Sequence, residues 1–118
     1  MEDERDTKQG KEEAQQDVVL CGANSYEEKY YFNEKFSALP REVKDELKIM
    51  CVLYTEECGG ILTLEFLRDG TLVFRTRVDD YDFYYDEIEA GLQIRKLEEQ
   101  HAETLAKIEL YYKALYVS

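Results

Sequence analysis

The chain has no tryptophan, one histidine, one proline and two methionines among its 118 residues. A single imidazole excludes a metal centre built from several histidines, and one proline leaves helices and strands few interruptions. There is no glycine-rich phosphate loop, no nucleophile elbow and no Cys/His spacing of a zinc site, so no standard reaction and no cofactor is indicated. No stretch approaches the roughly 20 apolar residues that cross a bilayer. The opening residues, MEDERDTKQGKEEAQQD, lack the apolar core of a secretion signal. With an odd set of cysteines, Cys21, Cys51 and Cys58, this reads as a cytosolic (cytoplasmic) protein with reduced thiols. Basic residues are also scarce: 15 Lys and Arg against 27 Asp and Glu give a net charge of −12. That balance repels phosphate backbones and anionic lipid, which excludes direct nucleic-acid and membrane binding.

What is present suffices for one ordinary core: 44% of the residues are hydrophobic, and 10 are tyrosines. Residues 1–17 carry seven acids and three bases with almost nothing to bury. They read as a disordered acidic tail before a single α+β domain at residues 18–118. Val18-Val19-Leu20-Cys21 has strand character and Gly22-Ala23-Asn24-Ser25 turn character, with a second strand expected over Lys29–Asn33. A helix is expected from Pro40 to Gly59-Gly60, its stripe running Val43, Leu47, Met50, Tyr54 and Cys58. Ile49, Val52 and Leu53 widen the apolar surface, which predicts cover on more than one side.

ILTLEFLRDGTLVFRTRV reads as a hairpin whose register decides its turn. A two-residue Asp69-Gly70 loop mixes apolar and charged groups on one face. A three-residue Arg68-Asp69-Gly70 loop, with Gly70 at positive φ, sets Phe66 opposite Leu72 and Leu64 opposite Phe74. One face then carries Leu62, Leu64, Phe66, Leu72 and Phe74, and the opposite face, suited to solvent or the tail, Thr63, Glu65, Arg75 and Arg77. After VDDYDFYYDEIE, Asp86 and Glu89 have capping-box spacing at the head of a long helix to Tyr116. Its stripe is Ile94, Leu97, His101, Leu105, Ile108, Tyr112 and Leu115. A helix of that length spans roughly 45 Å and overhangs a small sheet, which suggests a homodimer through its uncovered stripe. The fold class is thus α+β, a small antiparallel sheet in ββαββα order with two helices on one face, the C-terminal one long.

The segments LCGANSYEEKYYFNE, LPREVKDELKIMCVLYTEECGGILTLEF and YDEI…ELYY resemble a small family of proteins of unknown function from low-GC Gram-positive bacteria. The resemblance covers residues 18–118 and implies no activity. The alternation of helix, hairpin and acidic helix is also similar in architecture to small antitoxin and immunity proteins.

Two groups of residues are candidate sites. Asp79, Asp80, Asp82, Asp86, Glu87 and Glu89 supply the oxygen ligands that Ca²⁺ or Mg²⁺ prefers, although the spacing is not that of an EF-hand and a solvated loop explains the same residues. The metal candidates among them are Asp79, Asp80, Asp82 and Asp86. The tyrosine pairs Tyr30-Tyr31, Tyr84-Tyr85 and Tyr111-Tyr112 cannot place both rings on one face, so one of each should point outward. Tyr84, Tyr85, Tyr111 and Tyr112 are the partner-binding candidates, because tyrosine adds contact area with few rotatable bonds. His101 and Cys21 have no nearby chemistry in sequence and read as structural. The expectation is a non-enzymatic interaction module for a basic or amphipathic protein partner. A divalent-cation enzyme using residues 79–89, and an antitoxin-like or nucleic-acid-mimicking inhibitor, are the alternatives.

Overall fold

The computed structural model describes residues 17–117. The acidic tail expected at 1–17 lies outside them except for Asp17, whose carboxylate accepts a hydrogen bond from Arg75 Nη2 at 2.6 Å. Four strands form one antiparallel sheet: β1 Val18–Asn24, β2 Lys29–Phe32, β3 Ile61–Phe66 and β4 Leu72–Arg77, in spatial order β2-β1-β3-β4. Three helices follow the strand pairs, α1 Arg41–Cys58, α2 Glu87–Gln100 and α3 Ala102–Tyr116, and a 3₁₀ turn covers Glu34–Phe36. The α+β class holds, with an element order of ββαββαα.

Gly22 continues β1 instead of ending it. It pairs with Thr63 of β3, and a Cβ there would lie 2.7 Å from Thr63 Cγ2, so the glycine serves close strand approach and not the turn. The turn falls at residues 25–28, where the Asn24 side chain accepts from the N–H groups of Tyr26 and Glu27. A register shift between Val19 and Cys21 marks a bulge in β1, which turns both Leu20 and Cys21 into the core.

The β3–β4 hairpin has the expected register, Phe66 opposite Leu72 and Leu64 opposite Phe74. Its loop is Arg68-Asp69-Gly70: the Leu67 N–H donates to the Thr71 carbonyl, and Gly70 takes φ +92°. Leu62, Leu64 and Phe66 are buried under the helices. Glu65 departs from the expected solvent exposure. It is buried because Arg75 and Arg77 fold over it, with Arg75 Nε at 3.1 Å and the Thr63 hydroxyl donating at 2.7 Å, so the carboxylate keeps partners for its charge.

Helix α1 begins at Pro40 and ends at Gly59, which adopts φ +78°. Leu47, Met50, Cys51 and Tyr54 are buried, whereas Ile49 and Leu53 stay more than half exposed, so the expected second cover is absent among the described residues. The single long C-terminal helix is corrected to two. His101, at φ −114° and ψ 21°, separates α2 from α3. Helix α1 meets the break there: Glu46 Oε2 lies 2.6 Å from His101 Nδ1, and its Oε1 accepts from the Thr104 hydroxyl at 2.9 Å. Both helices pack against the core. Ile108 and Tyr112 are buried, and Ile94, Leu97 and Leu105 pack against the core. Leu115, the last residue of the expected stripe, stays 58% exposed.

Candidate functional site

Between β4 and α2 the chain runs through VDDYDFYYD, which forms neither helix nor strand yet is held at several points. The Tyr26 hydroxyl, from the β1–β2 turn, accepts from the Asp79 N–H at 3.0 Å and donates to Asp82 Oδ2 at 2.7 Å. Partial desolvation and that carboxylate raise the Tyr26 pKa, so the phenol keeps its proton. The Asp82 N–H donates to the Asp79 carbonyl, closing a tight turn, and Asp82 Oδ1 accepts from the Tyr84 N–H. At the far end the Tyr85 and Tyr54 hydroxyls meet at 2.9 Å. Tyr85 packs on Gly60, where an added Cβ would sit 3.1 Å from its ring. Asp86 then caps α2, accepting from the N–H groups of Ile88 and Glu89.

With the backbone so fixed, the alternate side chains have nowhere to go but outward. Tyr81, Phe83 and Tyr84 are 82%, 83% and 97% exposed. On α2 the apolar surface continues through Ile88, 78% exposed, and Leu92 one turn on. Isolated apolar residues on a surface are ordinary, but five exposed ones between Tyr81 and Leu92, along one fixed loop and the helix after it, concentrate apolar surface in one segment.

The four tyrosines singled out from sequence have different fates. Tyr84 is the most exposed of the loop's aromatic side chains. Tyr85 is half-buried as the Tyr54 partner, and Tyr111 is half-buried beside the core. Tyr112 is 7% exposed and stacks on Phe66 with ring centroids 3.9 Å apart, so it belongs to the core and offers a partner no surface. Burial raises its pKa. Sequence reasoning passed over Tyr81 and Phe83, although both sit in the segment it marked as aromatic and acidic. Pairing of adjacent tyrosines was too narrow a signal.

The acidic candidates do not converge. Among the described residues no three of His, Cys, Asp and Glu are placed to hold a metal ion. Asp82 and Asp86 are occupied by the loop and cap hydrogen bonds, while Asp79 and Asp80 are exposed and their side chains bond to no other described residue. His101 is turned toward Glu46 at the helix break, and no hydroxyl or thiol meets its other nitrogen among the described residues.

Cys21 and Cys51, 30 residues apart, bring their sulfurs to 3.9 Å in the core, a meeting no spacing in the sequence announces. The contact with Cys21, together with burial, pushes the Cys51 thiol far above its usual range, which keeps it protonated and unreactive. A cleft of about 550 Å³ lies between the β1–β2 turn and α1, lined by Ala23, Tyr30, Lys48, Val52, Thr55 and Glu56 among others. Its Thr55 hydroxyl is bonded back to the carbonyls of Cys51 and Val52, and the Asn24 side chain serves the turn. Those polar groups are engaged in holding the fold.

No helix among the described residues is long and apolar enough to cross a membrane. A protein-family model described as a family of unknown function, DUF6145, matches residues 17–118. No curated protein and no solved structure matches the chain.

Proposed function

The chain belongs to DUF6145, a family of unknown function, and from its surface we propose that it is a non-enzymatic protein–protein interaction module acting in the cytosol. The observation that carries this reading is the loop at 79–86: its backbone is pinned by Tyr26 and by the Tyr54–Tyr85 pair, while Tyr81, Phe83 and Tyr84 project into water. Holding an aromatic loop in place before contact removes part of the ordering cost of association. Aromatic rings displayed in this way are the residue type that dominates binding hot spots.

The test compares the native chain with a Tyr81→Ser, Phe83→Ser, Tyr84→Ser variant as baits in co-precipitation from lysate of the source cells. A protein held by the native chain and lost from the variant, with both baits equally folded by circular dichroism, is the expected result. Identical retained proteins on both baits, or none on either, would sink the reading.

A further inference from the structure

We propose that the pinned loop and the outward face of α2 dock a cationic amphipathic protein segment, in which lysine or arginine alternates with apolar side chains. This rests on the interaction reading above and adds the chemistry of the partner. From Val78 to Ile94 the sequence has six acids and no base. Asp82 and Asp86 are engaged in the loop and the cap, and Glu89 accepts from Gln93. That leaves Asp79, Asp80 and Glu87, whose side chains make no hydrogen bond or ion pair among the described residues. In sequence they flank the rings of Tyr81, Phe83 and Tyr84 on both sides.

The nearest bases before the loop do not neutralise it. Arg75 is held by Asp17 and Glu65, and Arg77 lies 3.8 Å from Glu65. An aromatic face beside a free carboxylate attracts an ammonium or guanidinium twice over, through the ring quadrupole and through charge. Ile88 and Leu92, one turn apart, give the apolar side of the partner a place to land. A second copy of this chain is the wrong occupant: it would bring the same carboxylates against these, on a molecule of net charge −12.

The experiment titrates the full chain, labelled for amide NMR, with a synthetic helical peptide of leucine and lysine. Two control peptides replace every lysine by glutamate or every leucine by serine. The leucine–lysine peptide should shift the amides of residues 79–92, with the glutamate and serine versions much weaker. Affinity should fall about tenfold or more in the Tyr81→Ser, Phe83→Ser, Tyr84→Ser variant. It should fall about threefold to tenfold in an Asp80→Asn, Glu87→Gln variant, and less as salt rises. Equal binding of the glutamate peptide at 79–92 would overturn the cationic partner and leave the interaction reading standing. Equal binding of the serine peptide would reduce the effect to bare charge and overturn the role of the rings. No shift at 79–92 with any peptide, or ring-dependent self-association in sedimentation, also overturns the proposal. Partner loss in the co-precipitation is scored separately, so the two readings fail independently.

Discussion

Tyr84 and Tyr112 are the same residue type with opposite fates, and alanine at each position separates display from core. Tyr112 is 7% exposed and stacked on Phe66, with Phe36 and Tyr116 against it. A tyrosine offers about 200 Å² for burial, so Tyr112 removes nearly all of that from water, worth about 4–5 kcal/mol at ~25 cal/mol per Å². The cavity left behind adds to this and partial collapse subtracts, so Tyr112→Ala should cost about 3–5 kcal/mol. Tyr84 is 97% exposed and buries almost nothing, and its loop is held by the side chains of Tyr26, Asp82 and Tyr85. Tyr84→Ala should therefore stay within about 0.5 kcal/mol of the native chain. Urea unfolding followed by far-ultraviolet circular dichroism gives both values, with the slope of each transition checked for two-state behaviour. A loss under about 1 kcal/mol for Tyr112→Ala, or over about 1 kcal/mol for Tyr84→Ala, would refute the placement of the two rings. If Tyr84→Ala leaves stability intact and weakens partner retention, the exposed ring acts in binding and not in folding.

Asp86→Ala should cost about 1 kcal/mol in the same assay by orphaning the Ile88 and Glu89 N–H groups, with Asp86→Ser recovering most of it; equal losses for the two variants would refute the cap. Burial raises Tyr54 above its ordinary 10.0, its hydrogen bond to Tyr85 adding to the shift. The Cys21 contact and burial likewise raise Cys51 above 9.0. The folded values lie above the unfolded ones, so this stability is complete below about pH 9 and drains away as the pH climbs past 10, where the unfolded chain gives up its protons first. A urea midpoint that stays flat while the unfolded phenols titrate would contradict it. Thiol labelling under native conditions should modify Cys58, which is half-exposed, and spare Cys21 and Cys51 until urea is added; three labels on the folded chain would overturn the buried pair.

The local features were legible because a few neighbouring residues decide them. The hairpin register followed from segregating Leu62, Leu64 and Phe66 from Arg75 and Arg77, and Gly70 at positive φ followed from that register. The Pro40 start and Gly59 stop of α1, and the Asp86 cap of α2, involve residues within four positions of one another. The acidic aromatic character of residues 79–86 is likewise a matter of composition alone.

What was not legible depends on partners far along the chain. The stripe from Ile94 to Leu115 satisfies one continuous helix, and the contact made where it breaks, His101 with Glu46, spans 55 positions. Gly22 reads as a turn until Thr63 is beside it. The Cys21–Cys51 contact spans 30 residues, Tyr54–Tyr85 spans 31, and Tyr26–Asp82 spans 56. Ten tyrosines and 27 acids against 15 bases determined that this protein is strongly anionic and rich in phenol rings. Which rings stay in water was decided by tertiary structure, because a ring is buried only where the chain brings another apolar face against it: Phe66 meets Tyr112, and no described residue covers Tyr84.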